Sequence, residues 1–310
     1  MAGAIGGMTS ARQNRVNLPN RRVGDFDLHQ DSFEDAVPDR QALLAKAGGE
    51  NFSVGGLLLG GARRRRLLAI YGFARLVDDI GDEAEGDRMA LLDWVEGELE
   101  RGCSGEEPRH GAIVVVAEPI QTGALPLEPF RRLIAANRQD QRVDRYESFE
   151  ELLGYCRLSA APIGELVLHV FGAATAENIA LSDRICAGLQ LTEHVQDVRE
   201  DHARGRVYIP AEDMRGCACA AADLGRPAPT PQLRELIRLE VGRARELLDD
   251  GAPLLRRLRG RARLAVAAYL GGGRAALEAI EAADFDVFSH TPRAGRLRRA
   301  RATLRSVGAR

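Results

Sequence analysis

From Arg63 onward, hydrophobic residues recur at three- and four-residue spacings, the period of a helix face that is buried against a core. The pattern runs through RRRRLLAIYGFARLVDDIGDE, MALLDWVEGELE, LEPFRRLIAANRQD, ESFEELLGYCRLSAAPIGELVLHVFGA, AENIALSDRICAGLQLTEHVQDVRED, TPQLRELIRLEVGRARELLDD and RARLAVAAYLGGGRAALEAIEAA. Alternation typical of strands, bounded by hairpin dipeptides, is almost absent. The pattern therefore predicts an all-α fold class, with helices of roughly 10 to 25 residues.

Glycine and proline residues divide this pattern into helices joined by short turns. The predicted breaks fall at Gly86, Pro108, Pro126, Pro162, Gly172, Gly205, Pro210, Pro227, Pro253 and Gly271. The glycine run that starts at Gly271 is interpreted as a bend or a tight packing point. So many helices exceed a simple four-helix bundle, and we expect one large bundle whose facing helices can build a central site.

Three regions follow from this pattern. Residues 1–40 mix Asn, Gly, Pro and both charges without periodicity, and we interpret them as a mobile leader. Residues 41–290 form the predicted helical domain. Residues 291–310 are rich in arginine and are predicted to be a frayed helix or a tail.

Composition narrows the class of protein. The 310 residues are 45% hydrophobic and 28% charged, which excludes a disordered or collagen-like chain. The formal net charge of -2 gives no reason to expect nucleic acid as a partner. Lys46 is the only lysine among 43 basic residues, which we interpret as coding bias.

Targeting signals and cysteine usage point to a cytoplasmic protein. The first residues lack the apolar core of a signal peptide, and no apolar run approaches the roughly 18 residues of a membrane span. Surface association with a membrane stays open. Five cysteines are an odd number, and Cys217 and Cys219 are too close together for a zinc knuckle, so we expect a reducing compartment.

Two acidic stripes carry the candidate chemistry. Asp78 and Asp82 stand four residues apart at the end of an apolar helix, so they share a face, while Asp79 points about 100° away. A solvated acidic helix end is the alternative interpretation.

The second stripe repeats this arrangement about 115 residues later. Glu193, Asp197 and Asp201 form a ladder at four-residue steps, and Gln190 extends the face by a turn. Like charges at this spacing repel, so a cation should offset them. Hard oxygen ligands without a Cys or His pair favour Mg²⁺, whose remaining ligands are typically water and substrate phosphate. His194 and His202 lie beside the ladder, but their eight-residue separation does not favour a pair of ligands.

Arginines beside both stripes are candidates for binding the phosphate. Arg75 lies one turn before Asp78, while Arg204 and Arg206 follow Asp201. Between the stripes, YCRLSAAPIGEL places small residues and Pro162 within an apolar helix, which predicts a kink with room for a ligand. Ordinary helix packing is the alternative. Together these features suggest a metal and diphosphate site beside an apolar cavity of the size of an isoprenoid chain.

With these motifs, the sequence resembles the squalene/phytoene synthase family over nearly all of residues 41–290. The motifs YGFARLVDDIGD and QDVREDHARGRVYIP carry the resemblance. Within the family, ENFSV, NRQDQRV, YCRLSA and LTEHVQDV look most like the bacterial hopanoid-pathway branch that makes hydroxysqualene. The resemblance implies the all-α isoprenoid synthase fold with a central cavity.

The resemblance also implies roles for individual residues. Carboxylates that bind or support Mg²⁺ would be Asp78, Asp79, Asp82, Glu193, Asp197 and Asp201. Substrate- and diphosphate-binding residues would be Asn51, Arg75, Asp140 and Arg206. Polar residues near the reacting centre would be Tyr71, Tyr155, Gln190 and Tyr208.

Departures from the family pattern refine the predicted reaction. Condensing members usually carry a hydroxylic or basic pair before the position of Phe52, where this chain has Glu50 and Asn51. Glu193 and Gln196 replace the usual Asn and Arg of the second motif. Less positive charge suggests a site for one diphosphate, so we expect Mg²⁺-dependent conversion of presqualene diphosphate to hydroxysqualene.

Two other functions stay open. The first is head-to-head condensation of two farnesyl diphosphates to presqualene diphosphate or squalene. The second is a non-catalytic helical assembly protein whose acidic stripes pair with basic partners. NADPH is not expected, because no G-x-G-x-x-G motif follows a strand. The sequence leaves contact with a membrane surface or a downstream enzyme open.

Overall fold

The computed structural model describes residues 61–308, and within that range the chain folds into twelve α-helices and one short 3₁₀ turn. The helices are α1 Gly61–Asp82, α2 Arg88–Ser104, α3 Gly111–Gln121, α4 Glu128–Asp140, α5 Phe149–Ser159, α6 Ala161–Phe171, α7 Ala176–Ala203, α8 Ala211–Gly216, α9 Pro231–Gly251, α10 Leu254–Arg257, α11 Gly260–Ala282 and α12 Arg296–Gly308. The 3₁₀ turn is Ala221–Gly225. The same residues contain one isolated β-bridge, between Arg145 and Val207, and no strand. The all-α prediction is confirmed.

Two hydrophobic cores hold the bundle together. The first lies among α1 to α4 and α6, where Phe73 and Phe130 meet edge to face with ring centroids 5.0 Å apart. The second lies chiefly among α5, α7, α9 and α11. Helix α6 packs against both α1 and α7, so it links the helices that carry the two acidic stripes.

Helix α7 is the longest helix of the described residues, and local signals fix its position. At its start, the Thr175 hydroxyl accepts a hydrogen bond from the Asn178 amide, which satisfies one of the free helix donors. Gly172, with φ of 68°, ends α6 just before it. Its extensive packing against α9 holds the second acidic stripe on a rigid support.

The predicted break at Pro162 corresponds to a real boundary, whereas the one at Gly271 is wrong. Helix α5 ends at Ser159 and α6 begins at Ala161, with Pro162 in its first turn. In contrast, α11 runs through Gly271 without interruption. A Cβ on Gly271 would lie 2.6 Å from the Thr303 amide nitrogen of α12, so this glycine is a close packing point between two helices.

The arginine-rich end forms a helix, which is one of the two predicted alternatives, and this helix is packed against the bundle. Residues 296–308 form α12, which packs against α11 through small residues that include Ala275 and Ala302. The predicted leader, residues 1–40, lies outside the described residues, as does Asn51. None of the described helices is both long and apolar enough to cross a membrane.

Candidate active site

One face of α1 carries four of the predicted site residues. Tyr71, Arg75, Asp78 and Asp82 follow one another at steps of four, three and four residues, so they lie along a single stripe. Asp79 lies outside this stripe and is only 2% exposed. Its Oδ1 lies 3.0 Å from Arg75 Nε, so the buried carboxylate fixes the arginine one turn before Asp78.

Asp78 is held by a polar contact from α4. Asn137 Nδ2 donates hydrogen bonds to Asp78 Oδ1 at 3.2 Å and to the Leu133 carbonyl at 3.2 Å. The contact depends on Gly81, because a Cβ there would lie 2.2 Å from Asn137 Oδ1. Gln141 Nε2 also donates to the Gly81 carbonyl at 3.0 Å, so α4 and the end of α1 are tightly joined.

The second stripe lies on α7 and continues to the end of that helix. Asp197 and Glu193 are exposed, while Asp201 is half-buried. His194 is buried on the same stripe, with Nδ1 4.0 Å from Asp201 Oδ2. Gln190 Nε2 lies 3.3 Å from His194 Nε2, so the polar side chains form a continuous row along the helix.

An ion pair joins the ends of the two motif helices. Arg206 Nη1, just beyond α7, lies 2.5 Å from Asp82 Oδ1 at the end of α1. Burial raises the pKa of Asp140 and of Asp201, and the nearby charge of Arg206 opposes this rise in both. One guanidinium therefore acts on carboxylates of both stripes, and it is paired with an aspartate 124 positions earlier in the chain.

A cluster of aromatic rings surrounds Asp140 beside this ion pair. The Tyr155 hydroxyl donates to Asp140 Oδ2 at 2.7 Å, and the Tyr208 hydroxyl donates to Asp140 Oδ1 at 3.4 Å. Tyr208 stacks on His194 with ring centroids 3.9 Å apart, and Tyr146 stacks on Tyr208 at 6.0 Å. The cluster presents π faces and few exposed polar groups, which suits a cationic, hydrophobic guest.

Burial is the largest cause of the shifted acidities at this site. It raises the pKa of Asp78 to about 6, helped by the charges of Asp82 and Asp79 and opposed by the Asn137 hydrogen bond and by Arg75. The Asp78 side chain nevertheless keeps an exposed surface, so a ligand can reach it from solvent.

The other acidic stripe is perturbed in the same direction. Burial and the Asp197 charge raise the pKa of Asp201 to about 7, and burial followed by Glu200 raises the pKa of Asp197. Burial raises the pKa of Asp140 to about 6, against the lowering effect of the Tyr155 hydrogen bond. Destabilised carboxylates on both helices are what a bound cation would relieve.

The two histidines near the second stripe have different surroundings. Burial lowers the pKa of His194 to about 3, so its ring is neutral at ordinary pH and serves as a stacking partner for Tyr208. His202 packs against Gly225, where a Cβ would lie 2.9 Å from its Cε1. Neither position favours the pair as joint metal ligands.

The donor set fits Mg²⁺ as two separate groups of carboxylates. In the described part of the chain, no three His, Cys, Asp or Glu side chains lie close enough together to hold a metal. Mg²⁺ does not need such a cage, because it usually binds one or two carboxylates and completes its shell with water and phosphate oxygens. Asp78 with Asp82 on α1, and Asp197 with Asp201 on α7, supply hard oxygen donors of that kind.

The structure brings several of the predicted residues together near the ends of α1, α4 and α7. Asp140, Tyr155, Tyr208 and Arg206 contact one another or their neighbours there, while Asp197 lines a shallow recess beside residues 287–291. The sequence interpretation did not include Asn137 or Tyr146, nor the packing role of His194. The sequence did contain one indication of Asn137. Gly81, in the first motif, has no side chain and so allows a neighbouring side chain to come close.

Fold and site together define an all-α isoprenoid synthase. A dehydrosqualene synthase crystal structure shares the fold, with a TM-score of 0.76 at 20% identity over 89% of this chain and 95% of that one. The sequence profile of the squalene/phytoene synthase family matches residues 45–304. The chain belongs to the squalene/phytoene synthase family and is an enzyme of that type, as the sequence resemblance implied.

Relatives in this family carry different activities. The crystal structure of squalene synthase HpnC from Alicyclobacillus acidocaldarius is 39% identical, with a TM-score of 0.74 over 82% of this chain and 98% of that one. A hydroxysqualene synthase of Rhodopseudomonas palustris is 35% identical over 66% of this chain and 70% of its own length. A 15-cis-phytoene synthase of Synechocystis sp. is 33% identical over 77% of this chain and 75% of its own length.

Proposed function

We propose that the protein converts presqualene diphosphate to hydroxysqualene and releases diphosphate, in an Mg²⁺-dependent reaction of squalene and hopanoid biosynthesis. The observation that carries the proposal is the Asp82–Arg206 ion pair, which joins the two carboxylate stripes beside the aromatic cluster around Asp140. The similarity to hydroxysqualene synthases supports the choice of reaction.

The carboxylates of both stripes would hold the metal. Asp78, Asp82, Asp197 and Asp201 are the proposed ligands, and Glu193 extends the second stripe by one turn. Asp79 supports the first stripe by fixing Arg75. When bound, Mg²⁺ neutralises negative charge on a departing diphosphate.

Arg75 and Arg206 would bind the diphosphate oxygens directly. Asp82 occupies Nη1 of Arg206, and a guanidinium carries further N–H donors that can reach a phosphate oxygen. Ion pairing with Asp79 and Asp82 holds both side chains in place before substrate arrives, so little ordering entropy is lost on binding.

The aromatic cluster would govern the fate of the cation. Cleavage of the C–O bond leaves both electrons on the diphosphate and a cyclopropylcarbinyl cation in the apolar space. The faces of Tyr155, Tyr208 and neutral His194 stabilise positive charge and keep bulk water out.

The cation then rearranges to the linear skeleton, which breaks a C–C bond of the cyclopropane ring, and capture by one water gives the alcohol. Water supplies the hydroxyl group, and Asp140, whose pKa burial raises, would accept its proton. Tyr155 holds Asp140 and is a candidate for placing this water, as are Tyr71 and Gln190 from the neighbouring stripes. The balance is presqualene diphosphate and water to hydroxysqualene, diphosphate and a proton, with no reductant required.

A condensing reaction is the second candidate, and the similarity to 15-cis-phytoene synthase favours it. Such an enzyme joins two prenyl diphosphates and needs room and positive charge for two diphosphate groups. Glu50 and Asn51, which argue against this, lie outside the described residues.

Product analysis separates the two reactions. Purified protein is incubated with Mg²⁺ and either presqualene diphosphate or farnesyl diphosphate, with and without NADPH, and the lipid product is identified by mass spectrometry. Hydroxysqualene from presqualene diphosphate, independent of NADPH, is the expected result. Turnover of farnesyl diphosphate alone would establish the condensing reaction, and absence of Mg²⁺-dependent diphosphate release from either substrate contradicts both.

A further inference from the structure

Helix α12 is the most basic element of the described chain. Its sequence, RLRRARATLRSVG, contains five arginines and no acidic residue, in a protein whose formal net charge is -2. The helix therefore carries a local excess of positive charge that no acidic residue of its own offsets. Such an asymmetry favours an anionic partner for this helix.

Packing against α11 fixes which face of α12 is available. Ser306 and Ala302 are buried, and the Ser306 hydroxyl donates to the Ala302 carbonyl at 3.0 Å. Arg263 Nη2 on α11 donates to the Val307 carbonyl at 2.7 Å. The inner face is thus occupied by the bundle, and the exposed side chains project from a rigid helix.

The outer face contains an open recess lined by arginine. The recess has a volume of about 460 Å³ and is lined by Glu278, Arg293, Gly295, Arg298, Arg301 and Arg305. Glu278 is the only acidic residue of this lining, and its Oε1 lies 3.5 Å from Arg305 Nη1. Within residues 61–308, Arg298 and Arg301 form no ion pair, so their charges are available to a ligand.

Exposed leucines accompany these arginines. Leu304, on α12, is 71% exposed, and Leu264, on α11, is 45% exposed. They are the two most exposed large hydrophobic side chains of the described residues, and Leu304 lies between Arg301 and Arg305 in the sequence of α12. Arginine beside exposed leucine matches a phospholipid surface, where phosphate groups and acyl chains lie side by side, better than it matches free phosphate or nucleic acid.

The basic face adjoins the second acidic stripe. Gln196 Nε2 donates to the Pro292 carbonyl at 2.6 Å, and Arg199 Nη1 donates to the Phe288 carbonyl at 2.9 Å. The segment that leads into α12 is therefore attached to α7 beside Asp197. A surface bound at α12 would lie close to the candidate site.

We propose that the outer face of α12, formed by Arg298, Arg301, Leu304 and Arg305, docks the protein on membranes that contain anionic phospholipid. Lipid phosphates enter the arginine recess, and Leu304 inserts among the acyl chains. The inference rests on the charge and exposure of α12 and stands apart from the proposed reaction.

Vesicle flotation of the full chain tests this proposal. Wild-type protein is mixed with vesicles of phosphatidylcholine alone or of phosphatidylcholine with phosphatidylglycerol, at low and high salt. Binding only to the anionic vesicles, weakened by salt, is expected. Each arginine near an anionic surface contributes about 1 kcal/mol, so the triple variant Arg298→Gln/Arg301→Gln/Arg305→Gln should bind about a hundredfold more weakly. Leu304→Ser should weaken binding by roughly tenfold.

A matched triple variant controls for net charge. Arg184→Gln/Arg215→Gln/Arg226→Gln removes three exposed arginines from other helices and loops and should keep wild-type vesicle binding. Equal loss in the two triple variants, or none in either, overturns the proposal. Arginine-dependent binding of inorganic diphosphate or of an oligonucleotide without vesicle binding overturns it as well. Diphosphate release by the same variants is measured in detergent. This assay tests the proposed reaction independently of vesicle binding.

Discussion

Gly81→Ala tests whether the close approach of α4 to α1 holds the first carboxylate stripe. The added methyl group would lie 2.2 Å from Asn137 Oδ1 and 3.1 Å from Asn137 Cγ, so the Asn137 side chain must move. Asn137 is 7% exposed and donates to both Asp78 and the Leu133 carbonyl, so movement breaks at least one buried hydrogen bond.

The free energy of unfolding should fall by roughly 2 kcal/mol. Overpacking typically costs about 1 to 3 kcal/mol, and loss of a hydrogen bond to a charged group costs about 1.5 kcal/mol. The better helix propensity of alanine returns about 1 kcal/mol. Gly97→Ala is the control, because Gly97 is exposed within α2 and a methyl group added there would have no heavy atom of the described residues within 4 Å.

Chemical denaturation and Mg²⁺-dependent diphosphate release are the two assays. Gly81→Ala should be less stable and less active, whereas Gly97→Ala should be neutral or slightly stabilising. In an Asn137→Ser background, where the side chain is shorter, adding Gly81→Ala should cost much less stability. If Gly81→Ala stabilises the protein as much as Gly97→Ala does, Asn137 does not hold Asp78 in the way described.

Three further variants address charge and acidity. Arg206→Gln removes the cation that joins Asp82 to the second stripe and should lower diphosphate release about a hundredfold, measured by a phosphate-coupled assay. Tyr155→Phe removes a hydrogen bond that lowers the Asp140 pKa, so the acidic limb of the pH–rate profile for hydroxysqualene formation should move to higher pH. Burial raises the pKa of Glu240 on α9, so the folded protein keeps a proton that the unfolded chain loses, and stability should fall as pH rises above the ordinary glutamate range. Glu240→Gln should flatten that decline in denaturation experiments, and an unchanged slope would assign it to another group.

Periodicity was sufficient to predict most of the long helices and the two carboxylate stripes, but it did not predict α3. Asp78 and Asp82 share a face because four residues make about one turn, and the same holds for Asp197 and Asp201. These are local properties, which spacing along the chain determines. The family resemblance added Asp140, whose contact with tyrosines no spacing could indicate.

Contacts between distant segments were beyond the sequence pattern. Arg206 and Asp82 meet only because α6 holds α1 and α7 in the same bundle, and Asn137 reaches Asp78 only because Gly81 lacks a side chain. The helix break predicted at Gly271 is wrong, but the interpretation of this glycine run as a tight packing point is confirmed. A glycine that allows close helix packing has the same sequence signal as one that ends a helix. The sequence pattern did not predict that α12 packs against the bundle. Its buried residues are small, so they contribute little to a hydrophobic pattern.

The central claim is that α1 and α7 act on one diphosphate through their carboxylates. The most direct test measures Mg²⁺-dependent release of diphosphate from presqualene diphosphate by Asp82→Asn and Asp197→Asn, each checked for a wild-type helical circular dichroism spectrum. The account predicts that either substitution alone lowers turnover by about a hundredfold or more. Wild-type turnover by either folded variant would contradict it.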